Sequence, residues 1–215
     1  MANKSYIWLF VLIGYCMLCV GCSLNESAGL NGSPAHKAKL FFREDWKEIP
    51  AQVPVTQEHV QNPDLILSLH GPAGDLLKKS HHDVDPYYIW SGLCKSRWAL
   101  TLQKKNSLVD LLSHGCIRWR TKQSGPNTLK VILGLADGTW LVSNTGFGKT
   151  TDWQEFSVDI ADLKWHLLDI DTIEAGWPVK APNLQRVRSI GWTDLSTGGG
   201  SNACTRVDWI EVYGK

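Results

Sequence analysis

From Leu40 to Tyr213 the chain is a succession of short apolar or alternating runs, each closed by a turn signal. No stretch of roughly twelve or more residues keeps a 3.6-residue period between helix caps. That pattern confines the chain to an all-β fold. The runs are Leu40–Phe42, Asp64–His70, Tyr87–Ser91, Trp98–Leu102, Leu108–Leu112, Cys116–Thr121, Leu129–Leu135, Thr139–Ser143, Trp153–Ile160, Val187–Trp192 and Arg206–Tyr213. Gly71-Pro72, Asp85-Pro86 and Ala136-Asp137-Gly138 punctuate them, and the last predicts a hairpin between its flanking runs. Ile160–Ile170 mixes charged and apolar groups on one helical face, so it reads as extended or irregular. Strands at this spacing predict an antiparallel β-sandwich or jelly roll.

The first 22 residues read as a targeting segment. Lys4 precedes the apolar stretch Tyr6–Val20, which is shorter than the roughly 20 residues of a bilayer span. Leu18-Cys19-Val20-Gly21-Cys22 resembles the lipobox of a bacterial lipoprotein signal, with Cys19 where Leu is usual. The resemblance implies that Cys22 carries the lipid and that the protein is an exported, membrane-anchored lipoprotein of the bacterial cell envelope. An ordinary secretory signal and an uncleaved anchor are the alternatives. Residues 23–38, rich in Ser, Asn, Gly and Ala, read as a flexible tether, leaving 39–215 as one sandwich domain. Export permits disulfides. With the leader removed and Cys22 acylated, Cys94, Cys116 and Cys204 remain, and they match no zinc spacing. A Cys94–Cys204 bridge would tie an early strand to the last one; three buried thiols are the alternative.

A net charge of +1 excludes a strongly basic nucleic-acid binder, so no nucleic-acid partner is expected. The compositional outlier is tryptophan, 11 in 215 residues. Each indole buries a large area and keeps one polar N–H. Trp98, Trp119, Trp153 and Trp209 lie inside strand patterns and are expected in the core. Trp177, between Gly176 and Pro178, is the exposed candidate for stacking on a flat ligand, and Tyr87 with Tyr88, after Pro86, offers a second platform. In Cys116–Gln123 the period of two puts Arg118, Arg120 and Lys122 on one face, against Ile117, Trp119 and Thr121 on the other. Three adjacent cations repel unless acids or an anionic ligand lie near. The stripe is then either a grip for uronate, sulfate or phosphate groups or a solvated face balanced by Asp and Glu on a neighbouring strand. His81-His82 with Asp83 and Asp85 reads as a solvated loop rather than a metal cluster.

Asp152-Trp153-Gln154-Glu155-Phe156, then Leu184, Val187, Ile190-Gly191-Trp192, and finally Val207-Asp208-Trp209-Ile210-Glu211-Val212 fall in an order similar to galactose-binding-like β-sandwiches. Among these the pattern most resembles family 11 carbohydrate-binding modules and the complex-I intermediate-associated domain, over roughly residues 87–213. The resemblance implies a polysaccharide or oligosaccharide ligand. It also implies a structural calcium, held by Asp208 with Glu44 or Asp45. Two other readings stay open. One is a glycan-active enzyme, a glycoside hydrolase or polysaccharide lyase, for which carboxylates are present without a motif. The other is a structural or assembly protein that binds another envelope protein. The sequence contains no nucleophile elbow, zincin or phosphate-loop signature in a suitable context.

Overall fold

The computed structural model describes residues 38–80, 85–93, 95–125, 127–198 and 204–215. The leader with Cys22, the tether to residue 37, Cys94 and His81-His82 lie outside the described residues. Among the described residues the strands form two antiparallel sheets. The six-stranded sheet runs β10 (Gln154–Asp159), β6 (Cys116–Ser124), β14 (Cys204–Gly214), β4 (Tyr88–Trp90) and β3 (Lys78–Ser80), with β1 (Lys39–Glu44) also on β14. The eight-stranded sheet runs β12 (Glu174–Val179), β11 (Trp165–Asp169), β8 (Trp140–Ser143), β7 (Thr128–Leu135), β13 (Val187–Thr193), β5 (Ala99–Lys104) and β2 (Leu65–His70), with β9 (Phe147–Gly148) also on β7.

Strand β6 alternates strictly between half-buried and buried residues, as its sequence predicts. Ile117 and Trp119 point inward with Val207, Ile210 and Val212 of β14, and they meet Leu100, Leu102, Leu133, Ile190 and Trp192 of the other sheet. This is the β-sandwich the alternation calls for. Trp119 stacks with Phe156 at 5.8 Å and meets Phe147 edge-on at 5.1 Å. Trp46 closes one end against Trp192, 6.2 Å away. Of Ile160–Ile170, read as extended or irregular, residues 160–162 form a single 3-10 turn and Trp165–Asp169 is the extended strand β11. Leu108–Leu112 supplies only a bridge, Val109 to Val187.

An edge strand presents unpaired backbone groups. On β2 the Gln57 side chain takes them, donating to Leu65 O at 2.9 Å and accepting from Leu67 N at 2.9 Å. A long β14 faces a different problem, because its two borders differ. One border is β6 along its whole length. The other is shared, with β1 opposite Ile210–Gly214 and β4 opposite Arg206 and Val207.

Candidate functional site

Where β1 gives way to β4, strand β14 changes register: Val207 stands opposite Thr121 and Trp209 opposite Arg120. Asp208 is therefore an extra residue, a bulge. Its consequence is parity. Val207 points inward, and both Asp208 and Trp209 then share the outer face with Arg206, Glu211 and Tyr213. Trp209, expected in the core, is buried instead on the outside of the sheet, with the guanidinium of Arg43 4.7 Å and that of Arg118 5.9 Å from its ring. Trp153 was likewise expected inside. It lies half-buried on the same outer face, with Arg120 5.4 Å from its ring.

Arg118, Arg120 and Lys122 do line up on this face. Of the two readings left open by the sequence, the balanced face is the one that forms. Arg118 pairs with Glu211 at 3.2 Å and Glu155 at 3.8 Å, and Arg120 pairs with Asp208 at 2.8 Å. Lys122 lies 3.3 Å from Asp152 and 3.8 Å from Asp85. Arg43, which the sequence reading passed over, joins the row by pairing with Asp45 at 2.6 Å and Glu211 at 2.5 Å. Tyr213 donates its hydroxyl to Glu211 at 2.9 Å. Each cation thus has a carboxylate within 4 Å, Arg120 through Nη1 alone.

The split between β1 and β4 opens a cleft of about 900 Å³ over the bulge, lined by Asp45, Trp46, Glu48, Gln61, Asp85, Pro86, Tyr87 and Asp208. Each of its three aspartates is held from behind. Asp208 takes Arg120, Asp45 takes Arg43, and Asp85 accepts the Trp153 indole N–H at 2.9 Å. Burial pushes the Asp208 carboxyl pKa up, and the Arg120 hydrogen bond and charge oppose that shift. The walls therefore offer fixed acceptor oxygens beside two aromatics, Trp46 and Tyr87, and one amide, Gln61.

The expected site residues divide. Of the expected platform pair, Tyr88 is 1% exposed, its ring 5.5 Å from Trp153, so it presents no open face, while Tyr87 lines the cleft. Trp177 is 83% exposed, as expected, but it stands on β12, an edge of the other sheet, and takes no part in the cleft. Asp45 and Asp208 line the cleft together. Glu44 does not join them: it is fully buried and accepts backbone N–H bonds from Trp46 at 2.8 Å, Gln61 at 2.7 Å and Asn62 at 2.9 Å. Burial raises its pKa against the pull of those three bonds. Its role is to fold the Trp46 and Gln61 backbone that forms one cleft wall. Among the described residues no group of three His, Cys, Asp or Glu side chains converges as a metal site. Cys204 carries a free, buried thiol 3.1 Å from the Ser124 hydroxyl, and its proposed partner Cys94 lies outside the described residues.

No protein-family model matches the sequence, and no curated protein matches it. Among solved structures the chain is similar to the family 11 carbohydrate-binding module of a cellulosomal cellulase from Clostridium thermocellum. The identity is 10%, over 83% of this chain and 95% of that one, with a TM-score of 0.43. It is also similar to a family 29 carbohydrate-binding module from Piromyces equi, at 14% identity over 83% of this chain and 91% of that one, TM-score 0.44. An agarase shares 8% identity over 77% of this chain and 24% of its own, TM-score 0.46.

Proposed function

We propose that this protein is an exported carbohydrate-binding β-sandwich, anchored to the bacterial cell envelope through a lipid on Cys22, and that it holds a neutral oligo- or polysaccharide in the β1/β4 cleft. The observation that carries this reading is the set of three aspartates backed by Arg43, Arg120 and Trp153. A carboxylate oriented from behind is a strong, directional acceptor for hydroxyl donors. A sugar supplies such donors on neighbouring carbons, and its C–H face suits Tyr87. The cations of the same face are already committed to carboxylates, which favours a neutral glycan over the uronate, sulfate or phosphate groups that the stripe suggested.

The test is binding of the detergent-solubilised full chain to an array of neutral, uronate-containing and sulfated glycans. Asp85→Asn with Asp208→Asn should weaken neutral-glycan binding by at least about tenfold, the size expected for lost charge-assisted hydrogen bonds. Trp177→Ala should leave it unchanged. Full affinity in the double aspartate variant would remove the cleft from the site. A signal confined to uronate or sulfated glycans would overturn the neutral ligand class.

A further inference from the structure

The outer face of the eight-stranded sheet carries a second, separate apolar cluster. Ala99, Ile132, Val142, Leu168 and Ile173 are buried there, with Trp140, Ile170 and Leu195 packed against them. The sheet beneath is strongly curled. Trp140 is on β8 and His70 on β2; three strands lie between, which would set these two strands about 19 Å apart in a flat sheet. Yet the Trp140 and His70 ring centroids are 5.3 Å apart. Glycine makes that closure possible: a Cβ on Gly134 would lie 2.7 Å from the Trp140 ring. His70 also bonds Thr101 across the floor at 2.9 Å.

The turn between β11 and β12 lies over this hollow. Asp169 folds it by accepting the N–H groups of Asp171 at 3.0 Å and Thr172 at 3.1 Å. Ile173 follows, fully buried, at a φ of +55°. A β-branched residue in the left-handed region is strained, and such strain persists only where surrounding contacts enforce it. Those contacts are at Gly71, itself at φ +82°, where an added Cβ would run into the Ile173 side chain and lie 3.0 Å from Arg97 O. One residue on, Glu174 pairs with Arg97 across the rim. The Glu174 side chain is 59% exposed, so that pair contributes little. Beside it an opening of about 350 Å³ is lined by Arg97, Ile173, Glu174, Ala175 and Leu195, leaving room for the turn to move.

We infer that residues 170–174 form a releasable strap over the curled outer face, with Ile173 in the Gly71 notch and Glu174 on Arg97 as its two catches. The closed strap occupies the hollow with the chain's own side chains. Opening relieves the Ile173 backbone and breaks an exposed ion pair, while the core between the sheets stays closed, so it is a local event, separate from global unfolding.

Hydrogen exchange followed by mass spectrometry on the full chain tests this. Peptides from 165–179 should exchange through a local opening, faster than those from β6 and β14. Arg97→Ala should speed that exchange about two- to fivefold, the scale of an exposed ion pair. Ile173→Gly, which removes both the plug and the strain, should leave exchange in β5, β6 and β14 unchanged while peptides from 165–179 lose protection at least about tenfold. Equal acceleration in β6 and β14, or no change at 165–179 in Arg97→Ala, would show that the turn is an integral part of the core and overturn the strap.

Discussion

Glu44 is the residue whose removal tests the cleft wall most directly. Its carboxylate is fully buried and takes three backbone N–H bonds: Oε1 from Trp46 and Gln61, Oε2 from Asn62. Glu44→Ala leaves those three donors without their acceptor. A buried donor left unsatisfied costs roughly 1–3 kcal/mol. Removing the buried charge returns part of that cost, because ionised Glu44 pays for desolvation. The net expectation is a loss of about 3–5 kcal/mol. Glu44→Gln keeps the two bonds to one oxygen and turns an NH₂ group toward the Asn62 N–H, so about 1–2 kcal/mol is expected. With an m-value near 2 kcal/mol/M in urea, the midpoint should fall by about 1.5–2.5 M for Ala and about 0.5–1 M for Gln. The assay is urea unfolding by tryptophan fluorescence, with and without about 1 mM calcium, a ligand that would stabilise only a form able to bind it. A shift below about 0.5 M for Glu44→Ala would refute the backbone-organising role. Calcium that raises the midpoint of the natural protein but not of Glu44→Gln would reassign the residue as a metal ligand.

Gly191 sits in β13 with β5 so close that an added Cβ would overlap Leu100 O and lie 2.7 Å from Thr101 Cα, both backbone atoms that cannot turn aside. Gly191→Ala should therefore cost at least about 3 kcal/mol or prevent folding, read by circular dichroism on heating; a melting point within a few degrees of the natural protein would contradict the geometry. His70 gives a pH test. Burial holds its pKa below the ordinary histidine value, and nearby Asp171 partly opposes the shift. The folded form therefore binds its proton later than the unfolded chain as pH falls. This contribution to stability is present above the unfolded pKa of about 6.5 and is lost as pH falls through the folded one. Urea midpoints at pH 7.5 and pH 5 should fall further for the natural protein than for His70→Gln, and equal falls would count against the shift.

Much of the sandwich was legible in the residues themselves. A strand buried on one side needs apolar groups at every second position, and Cys116–Gln123 states that rule plainly enough to assign Trp119 inward and Arg118 outward. The Ala136-Asp137-Gly138 turn likewise fixed the pairing of β7 with β8. The charged stripe was readable as a stripe, but its partners were not. Asp208, Glu211 and Asp85 come from strands and loops distant in sequence, and only the pairing of β14 with β6 sets the first two beside Arg120 and Arg118.

Local alternation, in short, settles which side of a strand is greasy, because side-chain direction follows the backbone's own period. What it cannot register is a residue inserted into one strand of a pair, since the insertion is defined by the neighbour. The bulge at Asp208 is such a case: it turns Trp209 outward. The curl that brings His70 to Trp140 is another, since it belongs to several strands at once. The cleft where β1 and β4 part, and the turn lying in the hollow of the opposite sheet, exist only after the strands have chosen their neighbours. Their geometry is decided by packing between distant segments, and no single segment carries it.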